Sequence, residues 1–405
     1  MTRLKSLLRL GTASIVPQAL GPARFGLVLA AALLTAVEPG PAVPAAAHTA
    51  SGAAPYRVAV FTPTTEGNTY WPEVHGAMRA AGDALGLELE FHEFQVYDRF
   101  EKPEQGAQIL RSEPVPDAAV FAAVFGQAQL LMDAAEEEGI PFFLNGPLFP
   151  RELEQLGGAP RERYSNWIGY FHEDEVQKGR VLAEALIAEA LKHDGVADDG
   201  TVQVVGIGGD AGWFGSRLRE EGLRQAVAEH PAARLQQTVP TLWTPGEGRA
   251  MTQRLLQRYP EVSVVWAASD QLALGAAEAL REFGREPGET AFVGGLDLSR
   301  VGLEAVKGET LTATVGAPAL VWTEVLVYLY DYLRGVDFVD QVGTEILFEP
   351  HLADRASASL FAELPELYDR IEYRAFSMYH NPNLEQYDFS LERYREKSAA
   401  ASGGR

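Results

Sequence analysis

Short apolar runs alternate with longer amphipathic runs along most of the chain, and this alternation constrains the fold more than any other feature. The short runs are typical of buried strands, and the longer runs carry apolar residues at helical spacing. Strands that are joined through helices run parallel to each other in one sheet. The alternation therefore predicts an α/β fold built from doubly wound parallel sheets.

The alternation occurs twice. Predicted strands lie at 56–62, 87–93, 118–124, 140–145 and 165–169 in the first half, and at 201–207, 235–239, 262–267 and 291–296 in the second half. Residues 151–163, which are rich in Gly, Pro and charge, interrupt the pattern, and a long helix at 174–191 restarts it. Two similar halves predict two αβα lobes with a boundary near 169–172 and a crevice between them.

The first 47 residues have a different composition. Basic residues at positions 3, 5, 9 and 24 precede an apolar stretch at 25–37, and three alanines follow at 45–47. This order predicts a signal peptide at 1–47 and export of a soluble mature protein. An uncleaved amphipathic anchor is the alternative. Since the chain has no cysteine, it contains neither a disulfide nor a lipid-modified N-terminal cysteine.

Charge and motifs argue against several classes of function. The formal net charge of −22 disfavours binding to nucleic acid or to an anionic membrane surface. The sequence G-x-G-x-x-A at 206–211 lacks the acidic residue that a dinucleotide site needs, so no cofactor is expected. The run His172-Glu173-Asp174-Glu175 lacks metal-ligand spacing, so no metal is expected. A glycosidase that uses Asp270 and Asp297 as its acid pair is the disfavoured enzymatic alternative.

Polar residues follow two of the predicted strands. Ser269 and Asp270 come after the strand at 262–267, and Asp297 follows the strand at 291–296. Because the carboxyl ends of parallel strands lie at one edge of a sheet, these side chains are expected to meet where such sheets bind ligands. The alternative is that Asp270 and Asp297 only cap the helices that follow them.

Three segments of the chain have a distinctive sequence, namely Asn68-Thr69-Tyr70-Trp71 with Gly76-Ala77, SDQLALGAAEAL at 269–280, and GLDLSRVGLEAVKGETLTATVG at 295–316. In their order and spacing they resemble the periplasmic sugar-binding proteins of ABC importers, of the type I, ribose- and galactose-binding-like class. The resemblance extends from about 56 to 348. The lac-repressor family has the same core behind an N-terminal helix-turn-helix, and here a predicted signal peptide occupies that place, which disfavours a regulator.

The resemblance implies two lobes joined by three hinge strands. The first lobe is expected to comprise 56–169 and about 317–342, and the second lobe 170–316 and about 343–350. Residues 351–405 form an extension whose end, from 397 onward, is expected to be disordered. The aromatic-rich part of this extension, 351–389, is a candidate contact for a partner protein.

The resemblance also assigns ligand-binding roles. The candidates are Asn68, Tyr70, Trp71, Asn145, Arg217, Trp243, Ser269, Asp270 and Asp297. Aromatic rings suit the apolar faces of a sugar, and the guanidinium of Arg217 suits paired hydrogen bonds to sugar oxygens. Ser269 stands where the family usually has an amide, and Ala317 where it often has a glutamine.

Two more of these roles, besides those of Asp270 and Asp297, have structural alternatives. Trp71 could be the first core residue of its helix, and Arg217 could be a solvated helix arginine like Arg219. Thr64 and Glu66 are further candidates in the loop before Asn68. Asp174 matches a hinge acid of the family and is expected to cap a helix.

The sequence therefore predicts a monomeric, non-catalytic periplasmic receptor. It is expected to close its two lobes on a sugar or sugar-like polyol by hinge bending and to deliver this ligand to the membrane permease of an ABC importer. The alternative on the same fold is a ligand-sensing partner of a membrane signalling receptor of the sensor-kinase type.

Overall fold

In the computed structural model, residues 54–94, 101–122, 128–193 and 195–400 are described. The predicted signal peptide at 1–47 lies outside these residues. The strands are β1 Tyr56–Pro63, β2 Leu87–Phe94, β3 Ala118–Ala122, β4 Phe142–Asn145, β5 Trp167–Glu173, β6 Val202–Ile207, β7 Ala233–Val239, β8 Val264–Ala267, β9 Phe292–Leu296, β10 Ala313–Gly316, β11 Glu345–Phe348 and β12 His351–Asp354.

Helices connect most of these strands, and two 3₁₀ helices, Leu364–Arg370 and Tyr373–Phe376, lie near the end of the chain. The α-helices are α1 Tyr70–Leu85, α2 Glu101–Leu110, α3 Ala128–Glu137, α4 Pro150–Leu156, α5 Glu175–Lys192, α6 Phe214–Glu229, α7 Pro245–Arg258, α8 Asp270–Glu282, α9 Arg300–Lys307, α10 Leu320–Leu333, α11 Val339–Val342, α12 Ala358–Ala362 and α13 Leu391–Ala400. Within the described part of the chain, no helix combines the length and apolarity needed to cross a membrane.

Two six-stranded sheets form the two lobes. The first sheet has the order β11-β5-β4-β3-β1-β2, and all its neighbouring strands are parallel. The second sheet has the order β12-β10-β9-β8-β6-β7, and only the edge strand β12 is antiparallel. Every residue of the central strands β3 and β8 is buried, as expected for parallel sheets with helices on both faces. The prediction of two doubly wound lobes is confirmed.

The chain passes between the lobes in three hinge segments. The first follows β5 at Glu173, the second lies between β10 and α10, and the third joins β11 to β12. After the first, Asp174 caps α5 by accepting a hydrogen bond from the backbone N–H of Gln177 at 2.9 Å. After the second, α10 packs on α1 in the first lobe.

The assignment of residues 343–350 to the second lobe is wrong. Strand β11 pairs with β5 in the first sheet, with Glu345 opposite Tyr170, and the change of lobe comes after Phe348. The physical reason is chain reach, since α10 and α11 precede β11 and α10 packs in the first lobe, where the edge of β5 is available. Strand β12, which the prediction placed in the extension, completes the second sheet beside β10.

The extension is folded over most of its length. Tyr373, Phe376 and Tyr394 are buried, and α13 continues to Ala400. The expectation of disorder from 397 onward is therefore wrong for residues 397–400, while residues 401–405 lie outside the described part of the chain. Tyr394 in α13 is buried, and its hydroxyl donates to Glu324 of α10 at 3.4 Å, which anchors this helix to the first lobe.

Candidate functional site

A cavity of about 340 Å³ lies between the two lobes. This volume is at the small end of the range of about 300–1,000 Å³ that is usual for small-molecule sites. The carboxyl ends of β1, β4, β8 and β9 meet there, as the parallel sheets require. Seven of the nine predicted residues line the cavity, namely Asn68, Tyr70, Trp71, Asn145, Trp243, Ser269 and Asp297.

The first lobe contributes a wall of aromatic side chains. The ring of Trp71 lies 5.3 Å from that of Tyr70 and 5.5 Å from that of Trp322, both edge to face. Phe171 at the end of β5 contacts Trp322 in the same way at 4.9 Å. The indole N–H of Trp322 donates to the hydroxyl oxygen of Tyr70 at 3.1 Å. Trp322 thereby fixes Tyr70 and leaves the phenol hydrogen free to be donated.

The second lobe contributes two more tryptophans and an arginine. The rings of Trp213 and Trp243 are 5.7 Å apart, and the guanidinium of Arg219 lies 5.0 Å and 5.9 Å from them, respectively. These distances are within the range of cation–π contacts, so Arg219 and the two indoles brace each other. Trp243 was predicted for this wall, whereas Trp213 was not.

Glycine makes the position of Trp243 possible. A Cβ at Gly209 would lie 1.9 Å from the Trp243 ring, so only glycine fits there. Trp243 itself has a φ of 71°, a left-handed conformation that costs energy for any residue but glycine. Gly209 belongs to the G-x-G-x-x-A motif, and its contact with Trp243 gives this motif a role that involves no dinucleotide.

Arg219 is held in one orientation by its hydrogen bonds. Its Nε and Nη2 donate to the two carboxylate oxygens of Glu175 at 2.6 and 3.3 Å. Its Nη1 donates to the carbonyl oxygen of Ala268 at 2.7 Å and to Asp297 Oδ1 at 3.3 Å. A fork of this kind fixes the guanidinium plane. Although burial alone raises the pKa of Glu175, the ion pairs with Arg219 and Lys178 lower it.

Lys178 extends this cluster to the hinge. Its side chain is 1% exposed, and its Nζ lies 3.1 Å from Glu173 Oε2 and 3.3 Å from Glu175 Oε2. Glu173 Oε2 also accepts a hydrogen bond from the backbone N–H of Ala317 at 2.8 Å, which joins the first hinge segment to the second. Glu173, Glu175 and Asp297 thus face Lys178 and Arg219, which leaves one excess negative charge when all five are ionised.

Asp297 has a strained backbone. Its φ is 114° and that of Leu298 is 52°, both in a region that L residues rarely adopt. The backbone N–H of Asp297 donates to Val315 at 2.9 Å, and a Cβ at Gly316 would lie 2.8 Å from the Asp297 carbonyl carbon. Strain of this kind is common at functional sites, where the surrounding structure must maintain it.

Asp297 does not cap α9, so that alternative is wrong. Ser299 is the cap, because its hydroxyl accepts from the backbone N–H of Gly302 at 3.3 Å. Burial raises the pKa of Asp297 to about 6, with Arg219 and Lys178 acting in the opposite direction. The carboxylate therefore lies in the cavity wall, paired with Arg219 and mostly ionised at neutral pH.

Three predicted polar residues line the cavity while also supporting the backbone. Asn68 Oδ1 accepts from the backbone N–H groups of Tyr70 and Trp71 at 2.8 and 2.9 Å. Asn145 Nδ2 donates to the Phe171 carbonyl at 3.1 Å. The Ser269 hydroxyl caps α8. Their side-chain roles in ligand binding remain predictions.

Arg217 does not lie in the cavity, which corrects the prediction. It is exposed, its Nε donates to the Ala211 carbonyl at 3.0 Å, and its guanidinium lies 5.5 Å from the Phe149 ring of the first lobe. Phe149 also stacks on Phe214 of the second lobe at 4.4 Å. Two residues along a helix turn a side chain through roughly 200°, so Arg219 takes the place expected for Arg217.

Asp270 does not line the cavity either. It is fully buried, and its Oδ2 accepts from the backbone N–H and the hydroxyl of Ser299 at 2.9 and 2.7 Å. Burial, followed by the nearby charge of Asp297, raises its pKa to about 7. Since Ser269 is the cap of α8, Asp270 is free to point sideways and tie α8 to the start of α9.

The sequence reasoning missed several residues of the site. Trp213, Glu173, Glu175 and Gln271 line the cavity, as do Arg219 and Trp322. Gln271 donates through Nε2 to the Trp243 carbonyl and accepts at Oε1 from the Thr69 hydroxyl at 3.4 Å, so it bridges the two lobes.

Among the residues that were missed, only Arg219 could have been found from a pattern in the sequence. The small and apolar residues of α6 recur at Gly215, Gly222, Leu223 and Ala226, and Arg219 lies on the same helical face. Trp322 sits in a helix that is apolar all round, where periodicity does not distinguish a cavity from a core. Among the described residues, no group of three or more His, Asp or Glu side chains is arranged to hold a metal ion.

Comparison with known proteins gives concordant matches. A family model described as "Periplasmic binding protein domain" matches residues 58–335. A ribose import binding protein of Salmonella typhimurium is 31% identical over 148 residues, which are 36% of this chain and 46% of that protein. A D-apiose import binding protein of Paraburkholderia graminis is 27% identical over 201 residues, 49% of this chain and 57% of that protein.

The chain spans about half the length of these curated relatives. Among solved structures, a periplasmic sugar-binding protein from Pseudomonas fluorescens superposes with a TM-score of 0.73 at 26% identity. That superposition covers 84% of this chain and 99% of the other. The similarity therefore includes both lobes.

Proposed function

Because this chain belongs to the periplasmic binding protein domain family, we propose that it is an exported receptor that encloses one sugar or polyol between its lobes. In this proposal the loaded receptor delivers its ligand to the permease of an ABC importer. The main observation in its favour is the cavity itself, where aromatic walls from both lobes face each other and the Arg219–Asp297 pair lies between the lobes.

The chemistry of the walls suits a polyol. A pyranose or furanose has apolar C–H faces, which pack against indole and phenol rings, and hydroxyl groups, which donate to carboxylates. Asp297 Oδ1 receives a hydrogen bond from Arg219, and its second oxygen can accept one from a ligand hydroxyl. The phenol of Tyr70, whose oxygen accepts from Trp322, can donate to a ring or hydroxyl oxygen.

The charge of the lining favours an uncharged ligand. Glu66, Glu173, Glu175 and Asp297 line the cavity together with Arg219, and Arg219 uses most of its donors within the protein. A sugar acid or sugar phosphate would add negative charge next to these buried carboxylates. Neutral sugars are therefore expected to bind more tightly than their anionic analogues.

The receptor role includes three further proposals. The chain is exported and acts as a monomer, and the ligand leaves the cavity chemically unchanged. In support, the relatives of Salmonella and Paraburkholderia are both named import binding proteins. The two bracing contacts Phe149–Phe214 and Thr69–Gln271 across the cavity also suit a closed form that retains its ligand.

Calorimetric titration of the purified protein with pentoses, hexoses, polyols, uronic acids and sugar phosphates tests the proposal. We expect at least one neutral member to bind with a Kd of about 1 μM or tighter. Asp297→Asn should weaken that binding by about 30-fold or more, since a charged acceptor is lost, whereas the exposed Asp198→Asn in the same lobe should not change it. Failure of every polyol to bind at millimolar concentration would reject the proposal.

A gene deletion in cells tests which kind of membrane partner the protein serves. If the chain serves an importer, deleting its gene abolishes uptake of the sugar identified by calorimetry. Retained uptake together with a lost transcriptional response to that sugar would favour the alternative, a signalling receptor. Consumption of a glycoside by the purified protein would contradict both roles.

A further inference from the structure

The C-terminal part of the chain crosses between the lobes a fourth time. After β12 completes the second sheet, α12 packs against α9 in the second lobe. The two 3₁₀ helices that follow pack against α1 in the first lobe. We call residues 355–400 the C-terminal strap. The three hinge segments implied by the family resemblance are thus supplemented by a fourth connection.

The strap is fastened to the first lobe by a buried carboxylate. Asp331 of α10 is fully buried and accepts hydrogen bonds from the Ser377 hydroxyl, from the backbone N–H groups of Met378 and Tyr379 at 2.7 and 3.3 Å, and from the Tyr387 hydroxyl at 2.9 Å. All four donors belong to the strap. A carboxylate with this many donors makes a firm attachment.

Aromatic packing adds to this attachment. The ring of Tyr328 on α10 meets Tyr387 at 4.8 Å and Phe389 at 5.5 Å, both edge to face. Phe376 stacks on Phe389 at 5.3 Å, and Tyr394 is 1% exposed. Of these side chains, Phe376, Tyr387 and Phe389 belong to the segment 351–389 that was predicted to contact a partner protein. Since they are directed into the first lobe, they instead hold the strap in place.

The strap is attached to the second lobe through α12. Ala358 and Phe361 of this helix are buried, and the Phe361 ring lies 5.5 Å from His351 at the start of β12. Leu364, at the point where the chain passes to the first lobe, is 1% exposed. Little free chain therefore separates the two attachments.

One carboxylate lies where both lobes and the strap meet. Glu73 of α1 accepts from the backbone N–H of Arg300 at 2.9 Å through Oε2, and from the Tyr368 hydroxyl at 3.2 Å through Oε1. Arg300 is the first residue of α9, so the carboxylate also faces the positive end of that helix.

We propose that the C-terminal strap restricts the opening of the two lobes and that the Glu73 carboxylate, which joins both lobes to the strap, makes one of the contacts that must break when they separate. Opening moves α1 away from α9 because these helices belong to different lobes. The bond between Glu73 and Arg300 is then lost, and the strap must either bend near Leu364 or detach α12 from α9. The strap therefore favours the closed form in the absence of ligand.

Distance measurements between spin labels on the two lobes test this inference. The chain has no cysteine, so labels attach only at Gln108→Cys in α2 and Gln257→Cys in α7, both exposed positions. In the ligand-free protein, Glu73→Ala should raise the population of the longer distance by about tenfold, as expected for loss of a hydrogen bond to a charged group. Arg79→Ala on the same helix is the matched control and should leave the distribution unchanged.

A milder variant keeps the test decisive if Glu73→Ala does not fold. Tyr368→Phe removes only the hydrogen bond between the strap and Glu73 and should raise the longer-distance population by about threefold. Distance distributions of both variants that match the unsubstituted protein would overturn the inference. An effect of Arg79→Ala as large as that of Glu73→Ala would also overturn it.

The consequence for ligand affinity rests on the proposed function, whereas the distance measurement does not. If a sugar binds, Glu73→Ala should weaken its affinity by the same factor by which it depletes the closed form. A shift in distance without any sugar binding would contradict the proposed function and leave the strap supported. Sugar binding with no shift in distance would contradict the strap alone.

Discussion

Buried carboxylates have different kinds of partner in the cleft and under the C-terminal strap. In the cleft, Glu175 lies between the cations of Arg219 and Lys178. Under the strap, Asp331 is satisfied by hydroxyl and backbone N–H groups alone, and the mostly buried Glu324 has the Tyr394 hydroxyl at 3.4 Å. Both regions bury acids, but only the cleft provides opposite charges for them.

This difference distinguishes the candidate binding site in the cleft from the attachment of the C-terminal strap. In the proposed function, the cleft carboxylates that pair with cations offer charged acceptors to the hydroxyl groups of a ligand. Neutral donors under the strap satisfy the carboxylates without offering anything to a ligand. Burial of this kind raises the pKa of Asp331, whereas in the cleft the cations outweigh burial and lower the pKa of Glu175.

The largest expected effect is the loss of ligand affinity when the guanidinium of Arg219 is removed from the cleft. Arg219→Ala leaves the carboxylates of Glu175 and Asp297 without their guanidinium and should weaken binding of the ligand by about 1,000-fold, or about 4 kcal/mol. Arg219→Lys keeps the charge but loses the fork, and should recover part of this loss. Calorimetric titration measures both variants.

Arg217→Ala is the matched control for this prediction. Arg217 is on the same helix but is exposed at the rim, so its loss should change affinity by no more than about threefold. If Arg217→Ala proved as damaging as Arg219→Ala, the distinction between cleft and rim would fail.

A smaller effect, on stability, is expected under the strap. Asp331→Ala deprives four donors of their acceptor and should lower the free energy of unfolding by about 3 kcal/mol, measured by urea denaturation. Its effect on ligand affinity should stay below about tenfold, because Asp331 does not line the cavity. A loss of affinity comparable to that of Arg219→Ala would show that the two regions are not separable.

A third effect concerns the pH dependence of stability and has opposite signs at Glu324 under the strap and at Glu175 in the cleft. Burial raises the pKa of Glu324 to about 8, so the folded protein retains a proton that the unfolded chain loses near pH 4.5. Stability from this group is present below pH 4.5 and is lost as pH rises toward 8. For Glu175, whose pKa is lowered, stability is instead lost as pH falls below its ordinary range.

The variant Glu324→Gln tests the predicted direction of this pH dependence of stability. The variant should remove the decline in stability between pH 5 and 8, and its excess over the unsubstituted protein should grow with pH in urea titrations. Glu396→Gln on α13, a fully exposed acid, serves as the control. A decline that persists in Glu324→Gln would assign it to another group.

The sequence motifs and periodicity were sufficient for the fold and for much of the site. Alternation placed most strands and helices within a few residues of their observed bounds, because short apolar runs mark the buried strands and a period of about 3.6 residues marks the helices. The family resemblance drawn from the segments around Asn68, Ser269 and Asp297 is confirmed by the match over residues 58–335. Because the ends of parallel strands meet at one edge of a sheet, Asp297 could be placed at this edge without knowledge of contacts, and the resemblance added Trp71 and Asn145.

Other features required the tertiary structure. The resemblance pointed to Arg217, whereas the periodicity of α6 places Arg219 on the buried face, and only the contacts of Arg219 with Glu175 and Asp297 show that this face lines the cleft. Asp270 and Ser269 are adjacent in sequence, yet the first ties α8 to α9 and the second lines the cavity. Trp322 lines the cavity, although its helix α10 is apolar on all sides, as is typical of a helix buried in a core.

The sequence by itself determined the two-lobed α/β architecture and the edge at which the ligand site forms, since local periodicity encodes strands, helices and strand ends. Only the tertiary structure decided which lobe takes β11, which arginine enters the cleft, and that the chain crosses back as a strap. These depend on contacts between residues far apart in sequence, such as Glu73 with Arg300 and Tyr368, and no local pattern records them.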